Sequence, residues 1–168
     1  MSVSVPTKLE PQLLRELDRL VEEGLYVSRS EAIRDAVRRL VAERYMSATQ
    51  HLRAMASVIS EVIQMRFGRV VENIILFGSV AKGSANPDSD IDLLILTKDL
   101  PEVSISRLST RIHEVVYPIM LASGTVATMV VLGKKSFLRM LKEGSHFARE
   151  VVETGVQLKG ALMDEHRS

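Results

Sequence analysis

The segment SDIDLLIL, Ser89 to Leu96, sets two carboxylates, Asp90 and Asp92, one residue apart at the mouth of an unbroken apolar run. No other feature constrains the fold as much. A run of Leu and Ile without polar alternation, bounded by turn residues, is consistent with a strand covered on both faces. Residues i and i+2 of a strand point to the same side, about 6–7 Å apart along it. Left alone, two such carboxylates repel and push up each other's pKa. A hard divalent cation beside them removes that cost, and Mg²⁺ is the usual one where carboxylate and phosphate oxygens meet.

Twelve residues before Asp90 stands Gly78, followed by Ser79. Glycine lets backbone approach a ligand closely, and Ser79 opens a short helix. Exposed N–H groups and a hydroxyl there form a phosphate-binding corner. A D-x-D pair alone is common and usually caps or solvates a loop, and a lone Gly-Ser says less still. Both together, running straight into a buried strand, form the layout for a metal-bound nucleoside triphosphate.

The rest of the second half reads as strands alternating with helices: helix 48–66, strand NIILFG, a short helix, strand IDLLIL, helix 103–121, strand TVATMVVLG, and helices around 135–154. That order implies a mixed sheet flanked by helices. The stretch FGSVAKGSANPDSDIDLLIL resembles the minimal nucleotidyltransferases of the DNA polymerase β superfamily. Their signature is G-S, ten residues (here 80–89), then D-x-D, and AKG at Ala81–Gly83 and SDID at Ser89–Asp92 keep its spacing. The likeness extends loosely over about residues 50–160, including HFAREVVETGVQLKG.

The resemblance implies that Gly78 and Ser79, with Lys82 and Ser89, bind a nucleoside triphosphate, ATP being the expected one. It implies that Asp90 and Asp92 are the catalytic pair and hold Mg²⁺. The cation would orient the α-phosphorus for in-line attack, and the product would be a nucleotidylated hydroxyl, for some relatives a tyrosine of a partner toxin. In one respect the chain departs from the pattern. Active members carry a third carboxylate on a later strand, and TVATMVVLG, Thr125 to Gly133, has neither Asp nor Glu. Glu114, the nearest acidic residue upstream, falls in a predicted helix.

The first 45 residues follow another pattern. Val3 and Val5 alternate with serines as in a half-buried strand. Leu13, Leu17, Leu20 and Val21 recur at helical spacing up to Gly24. Ser28 with Glu31 reads as a capping box, opening a second helix with Ile33, Ala36, Val37, Leu40 and Val41 on one face. A lone strand with two helices is too small to stand comfortably alone and leaves strand edges unpaired. Pairing with a second copy cures both. SVSVPTKL, LLRELDRLVEEG and SRSEAIRDAVRRL resemble, over residues 2–44, the ribbon-helix-helix family of DNA-binding proteins. That implies a homodimer whose ribbon presents Ser4, Pro6 and Lys8 to the major groove of duplex DNA. Ser28, Arg29 and Ser30 would meet a phosphate. Pro6 is unusual in a ribbon because it removes an N–H.

The expected chain is thus α/β (α+β): a ribbon-helix-helix module over 1–46, then a nucleotidyltransferase-like domain over 47–168. Between Gly24 and Gly68 there is neither Gly nor Pro, and Ser47 with Gln50 could cap a new helix, so one helix and two are both open. The function expected is a DNA-binding homodimer with a Mg²⁺-dependent nucleotidyltransferase domain, with a toxin as partner. The alternative is a non-catalytic regulator or antitoxin that only senses a nucleotide. No cysteine is present, which excludes disulfides and thiolate zinc sites. No apolar run approaches the ~20 residues of a membrane span, and the N-terminus lacks the regions of a signal peptide. A cytoplasmic protein is expected. His51, His113, His146 and His166 show no ligand spacing. Met55, Met65, Met120, Met129 and Met140 read as core filler, and Lys134 and Lys135 as a solvated loop.

Overall fold

The computed structural model describes residues 8–163. The expected strand at Val3 and Val5, with Ser4 and Pro6, lies outside them, as does His166. The chain divides into two compact units, one up to Glu43 and one from Arg44 onward.

In the first unit, α1 spans Pro11–Glu22 with Pro at its start, where a missing N–H costs nothing. Helix α2 then begins at Arg29. Ser28 Oγ accepts the Glu31 N–H at 3.3 Å, but the Glu31 carboxylate takes the N–H of Val27, at 2.8 Å, rather than that of Ser28. The two helices are tied by Arg29, whose guanidinium donates twice to Asp18, and the loop between them is tied to α2 by Tyr26, whose hydroxyl donates to Asp35 at 2.7 Å. Apolar burial is sparse: among the described residues only Leu17 and Ala32 are buried here. Leu13, Leu25, Val27, Val37, Leu40 and Val41 are exposed, Leu40 at 68%.

Helix α2 runs unbroken from Arg29 to Phe67. The pattern at Ser47–Gln50 starts no new helix. The local cap competes with a continuous intrahelical ladder, and in a stretch free of Gly and Pro the ladder wins.

The second unit is built on a four-stranded sheet in the order β3-β2-β1-β4. Strand β1 (Val71–Phe77) pairs antiparallel with β2 (Ile91–Thr97), and β2 pairs parallel with β3 (Ala127–Gly133) across α4 (Glu102–Ser123). The short helix α3 (Gly78–Lys82) joins β1 to the loop before β2. Helices α5 (Lys134–Lys142) and α6 (His146–Thr154) follow β3. Strand β4 (Val156–Lys159), which the sequence did not announce, pairs antiparallel with β1. Leu52, Ala56, Ile59 and Ile63 of α2 and Leu108, Ile112 and Val116 of α4 pack with Ile74, Leu76, Ile91, Leu93 and Ile95. Phe137 of α5 and Ala148 and Val151 of α6 pack with Ile75, Leu94 and Leu96 of the opposite face. Cover on both faces explains the unbroken LLIL run. Each fully buried Leu or Ile there contributes roughly 1.5–3 kcal/mol.

Lys134 and Lys135 open α5 rather than a loop, and Lys135 pairs with Asp99. Because β3 runs parallel to β2 with Gly133 beside Thr97, this pair lies at the end of the sheet away from Asp92. Among the described residues, no helix is long and apolar enough to cross a membrane.

Candidate functional site

Strand register brings the two halves of the motif together. Phe77, the last residue of β1, pairs with Asp92, the second residue of β2. The chain turns into α3 at Gly78, whose φ is +71°, a region open to glycine and costly to side chains. A Cβ at Gly78 would run into the Asp92 carboxylate. Gly78 is thus required twice, for its backbone angle and for the space that Asp92 fills. Ser79 follows it, half-buried.

Asp90 is exposed in the loop just before β2, and Asp92 is half-buried. Burial pushes the Asp92 carboxyl above its ordinary range, and the charge of Asp90 adds to the effect. A group that is partly desolvated and faces a like charge is poised to take up a cation. Two hard carboxylate oxygens at the foot of a phosphate corner suit a divalent ion that fills its other positions with water and phosphate.

By strand alternation Asp92 shares its face with Leu94 and Leu96, the face covered by α5 and α6. Its neighbour across the parallel pairing is Thr128 of β3, followed on the same face by Val130 and Leu132. None is acidic. Glu114 is exposed on α4, which packs on the other face, so it cannot stand in. Among the described residues no three acidic or histidine side chains gather where they could hold a metal.

The remaining expected residues are placed differently. Ser89 Oγ accepts the Asn86 N–H at 2.9 Å and closes the loop ahead of Asp90. The Lys82 ammonium donates to Glu150 of α6 at 2.5 Å. Lys8 and Ser30 are exposed, and Arg29 is engaged by Asp18. Of the histidines, His113 Nδ1 lies 2.8 Å from the Ser109 carbonyl, and His51 lines a cleft of about 620 Å³ together with Arg44, Asp88 and Asp90. Sequence reading missed three participants. Arg53 of α2 grips α3, Glu150 engages Lys82, and Phe147 packs edge-on against Phe77 with ring centres 5.5 Å apart. All three come from distant segments: Arg53 carries no local signal, and Phe147 and Glu150 stand in HFAREVVETGVQLKG, which the resemblance covers without giving either a role.

Comparison with known proteins gives the family. The nucleotidyltransferase-domain model fits residues 57–143, from α2 through α5. The chain belongs to the nucleotidyltransferase-domain family. Residues 3–44 match the ribbon-helix-helix proteins of the copG family. A candidate protein adenylyltransferase of Methanocaldococcus jannaschii is 43% identical over 54 residues, which is 30% of this chain and 37% of that protein. The match thus spans little more than a third of that relative. Among solved structures, a candidate nucleotidyltransferase from Sulfolobus solfataricus is 19% identical, with a TM-score of 0.46 over 68% of this chain and 85% of that one. A toxin–antitoxin structure with AMP-PNP is 23% identical, with a TM-score of 0.42 over 66% and 77%.

Proposed function

We propose that the second unit binds a nucleoside triphosphate, ATP being the expected one, together with Mg²⁺, and that the first unit dimerises and binds duplex DNA. The observation that carries the first part is the packing of the Asp92 carboxylate against Gly78 with Asp90 beside it. One turn of chain thereby faces a phosphate corner with a carboxylate pair. Asp90 and Asp92 would hold the cation through their carboxylate oxygens. When bound, it supplies positive charge against the triphosphate and the leaving pyrophosphate. Gly78 and Ser79 would offer backbone N–H groups and a hydroxyl to phosphate oxygens. Their position against Asp92 fixes the triphosphate relative to the pair.

In the transferase reading, the acceptor hydroxyl attacks the α-phosphorus, pyrophosphate leaves with the bonding electrons, and the hydroxyl proton passes to a base. That base is missing from the strand where related enzymes carry it, since Thr128 stands beside Asp92. A general base contributes typically about 10²–10⁴-fold, so transfer is slow. The same observation favours the second reading, a DNA-bound regulator or antitoxin that senses a nucleotide. The resemblance to toxin-associated relatives makes a toxin the protein partner to test.

The DNA-binding part is supported by the ribbon-helix-helix match and by the exposed apolar row Val37, Leu40 and Val41, which a second copy would cover. The experiment is incubation with labelled nucleotides, Mg²⁺ and co-purifying proteins. Bound but untransferred label supports the sensor, Asp90-dependent covalent label supports the transferase, and no Mg²⁺-dependent binding rejects both.

A further inference from the structure

Helix α3 has five residues, Gly78 to Lys82, too few to persist by its own hydrogen bonds. Its last carbonyls have no partner within the helix. Part of the remedy is local: Gly83 adopts a left-handed conformation, its N–H reaches the Val80 carbonyl at 3.4 Å, and the Ser84 N–H reaches the Ser79 carbonyl at 3.0 Å. The rest comes from 27 residues away in sequence. Arg53 Nε donates to the Val80 carbonyl at 3.1 Å, and Arg53 Nη2 to the Ala81 carbonyl at 2.7 Å. A guanidinium is suited to this, because its donors form a rigid fork and its charge is favourable at a helix C-terminus. Val80 and Ala81 are themselves buried, with 0% and 7% exposure. α3 is therefore clamped at its C-terminal end, between the core and Arg53.

The other end of this helix is Gly78 and Ser79. Five residues at 1.5 Å rise make a body about 7.5 Å long, which moves as one piece. Any shift at Val80 or Ala81 is carried to Gly78 and Ser79 and changes their spacing from the carboxylates on β2. We propose that Arg53 is a positioning residue, which holds the Gly78–Ser79 corner at the spacing from Asp90 and Asp92 at which one triphosphate meets both. The proposal rests on the nucleotide-binding reading above and adds to it a residue outside the G-S and D-x-D motif.

The test compares the full-length protein with Arg53→Lys and Arg53→Met. Three quantities are measured: affinity for ATP in the presence of Mg²⁺, affinity for Mn²⁺ alone, and the thermal midpoint. Arg53→Met should weaken nucleotide binding about tenfold, the scale of losing two charge-assisted hydrogen bonds at a site sensitive to small displacements. Arg53→Lys, which keeps the charge but not the fork, should fall between. Affinity for Mn²⁺ alone should stay within about twofold, because the carboxylate pair sits on β2 and not on α3, whereas a generally loosened domain would lose both. Unchanged nucleotide affinity in both variants overturns the proposal. So does a parallel loss of Mn²⁺ and nucleotide affinity in Arg53→Lys. A wild-type protein that binds Mn²⁺ but no nucleotide defeats the underlying reading instead, and the proposal with it.

Discussion

The carboxylate of Asp92 fills the space into which a side chain at Gly78 would project. Gly78→Ala therefore faces two penalties. The left-handed backbone at φ +71° costs a non-glycine residue about 1–2 kcal/mol, and the new methyl displaces Asp92. The expected outcome is a lower denaturation midpoint, with Mg²⁺-dependent nucleotide binding lost even at temperatures where the variant is folded. Calorimetric unfolding and nucleotide titration of the same sample check it. Wild-type affinity in a folded Gly78→Ala protein would remove Gly78 from the site.

Asp92 also makes the site a source of instability when no cation is bound. Burial and the neighbouring Asp90 both disfavour its charged form. Asp92→Asn removes the charge while keeping the shape, so the thermal midpoint at neutral pH without divalent ions should rise. Wild-type protein should be stabilised by millimolar Mg²⁺, because an ion that binds only the folded state shifts unfolding by mass action. The variant should lose most of that response. A variant that is less stable than wild type without Mg²⁺, yet still responds to Mg²⁺, would show that Asp92 is structural.

Much of this site was legible because its signals are local. Two aspartates at i and i+2, an apolar run, a glycine before a serine and the spacing between them all sit within twenty residues. The unbroken LLIL run told of a sheet covered on both faces, and the helices on each side of it do cover it. The ends of α2 and α4 were legible within a few residues for the same reason. What was not legible depends on long-range partners. Arg53 reads as one more charged residue on a solvated helix face until α3 is seen to need its carbonyls capped. β4 has four residues, Val156–Lys159, and its role as a strand comes from β1 some eighty residues earlier. The capping pattern at Ser47–Gln50 left one helix and two both open, because an N-cap signal only matters where the preceding helix stops.

One pair should make the first unit less stable at both pH extremes. Tyr26 donates to Asp35, and that hydrogen bond is the main reason the Asp35 carboxyl lies below its ordinary 3.8 and the Tyr26 phenol above its ordinary 10.0. For Asp35, with a lowered folded value, the contribution is present above pH 3.8 and is lost as pH falls through the lowered value. For Tyr26, with a raised folded value, it is present below pH 10.0 and is lost as pH rises through the raised value. Tyr26→Phe should flatten the alkaline limb and shrink the acid limb, where Arg39 still holds Asp35 at 2.9 Å. Circular dichroism melts across pH read both limbs. Identical profiles for variant and wild type would show that the bond carries no stability in solution.

The exposed row Val37, Leu40 and Val41 on α2 predicts an obligate dimer through the first unit. Leu40→Glu, which places a charge in the face that a second copy would bury, should raise the dimer dissociation constant by two orders of magnitude or about 3 kcal/mol. DNA affinity should fall with it, since ribbon readers bind as pairs. Sedimentation and a salt titration on duplex DNA test both, and wild-type DNA affinity should itself fall as salt rises. A wild-type protein that is monomeric at micromolar concentration would defeat the prediction.

Lys82 and Glu150 pull nucleotide binding in opposite directions if Lys82 serves the triphosphate. The Lys82 ammonium is held by Glu150 at 2.5 Å, and this hydrogen bond is the leading cause of the low pKa of the Glu150 carboxyl. Both side chains are partly exposed, 42% and 34%, so the pair is weak enough to break. Lys82 closes the helix that Gly78 opens, and a lysine stem can swing from α6 toward an anion bound at that turn. In that case Glu150→Gln frees the ammonium and should raise affinity for ATP with Mg²⁺ about threefold, the scale of a released surface ion pair. Lys82→Met should lower it, and more so at low salt, because the charge acts through partly screened solvent. If the pair only braces α3 against α6, both variants instead lower the thermal midpoint slightly and shift nucleotide affinity in the same direction or not at all. Titrating ATP against both variants at two salt concentrations distinguishes the outcomes, and opposite shifts from the two substitutions are the result that places Lys82 at the phosphates.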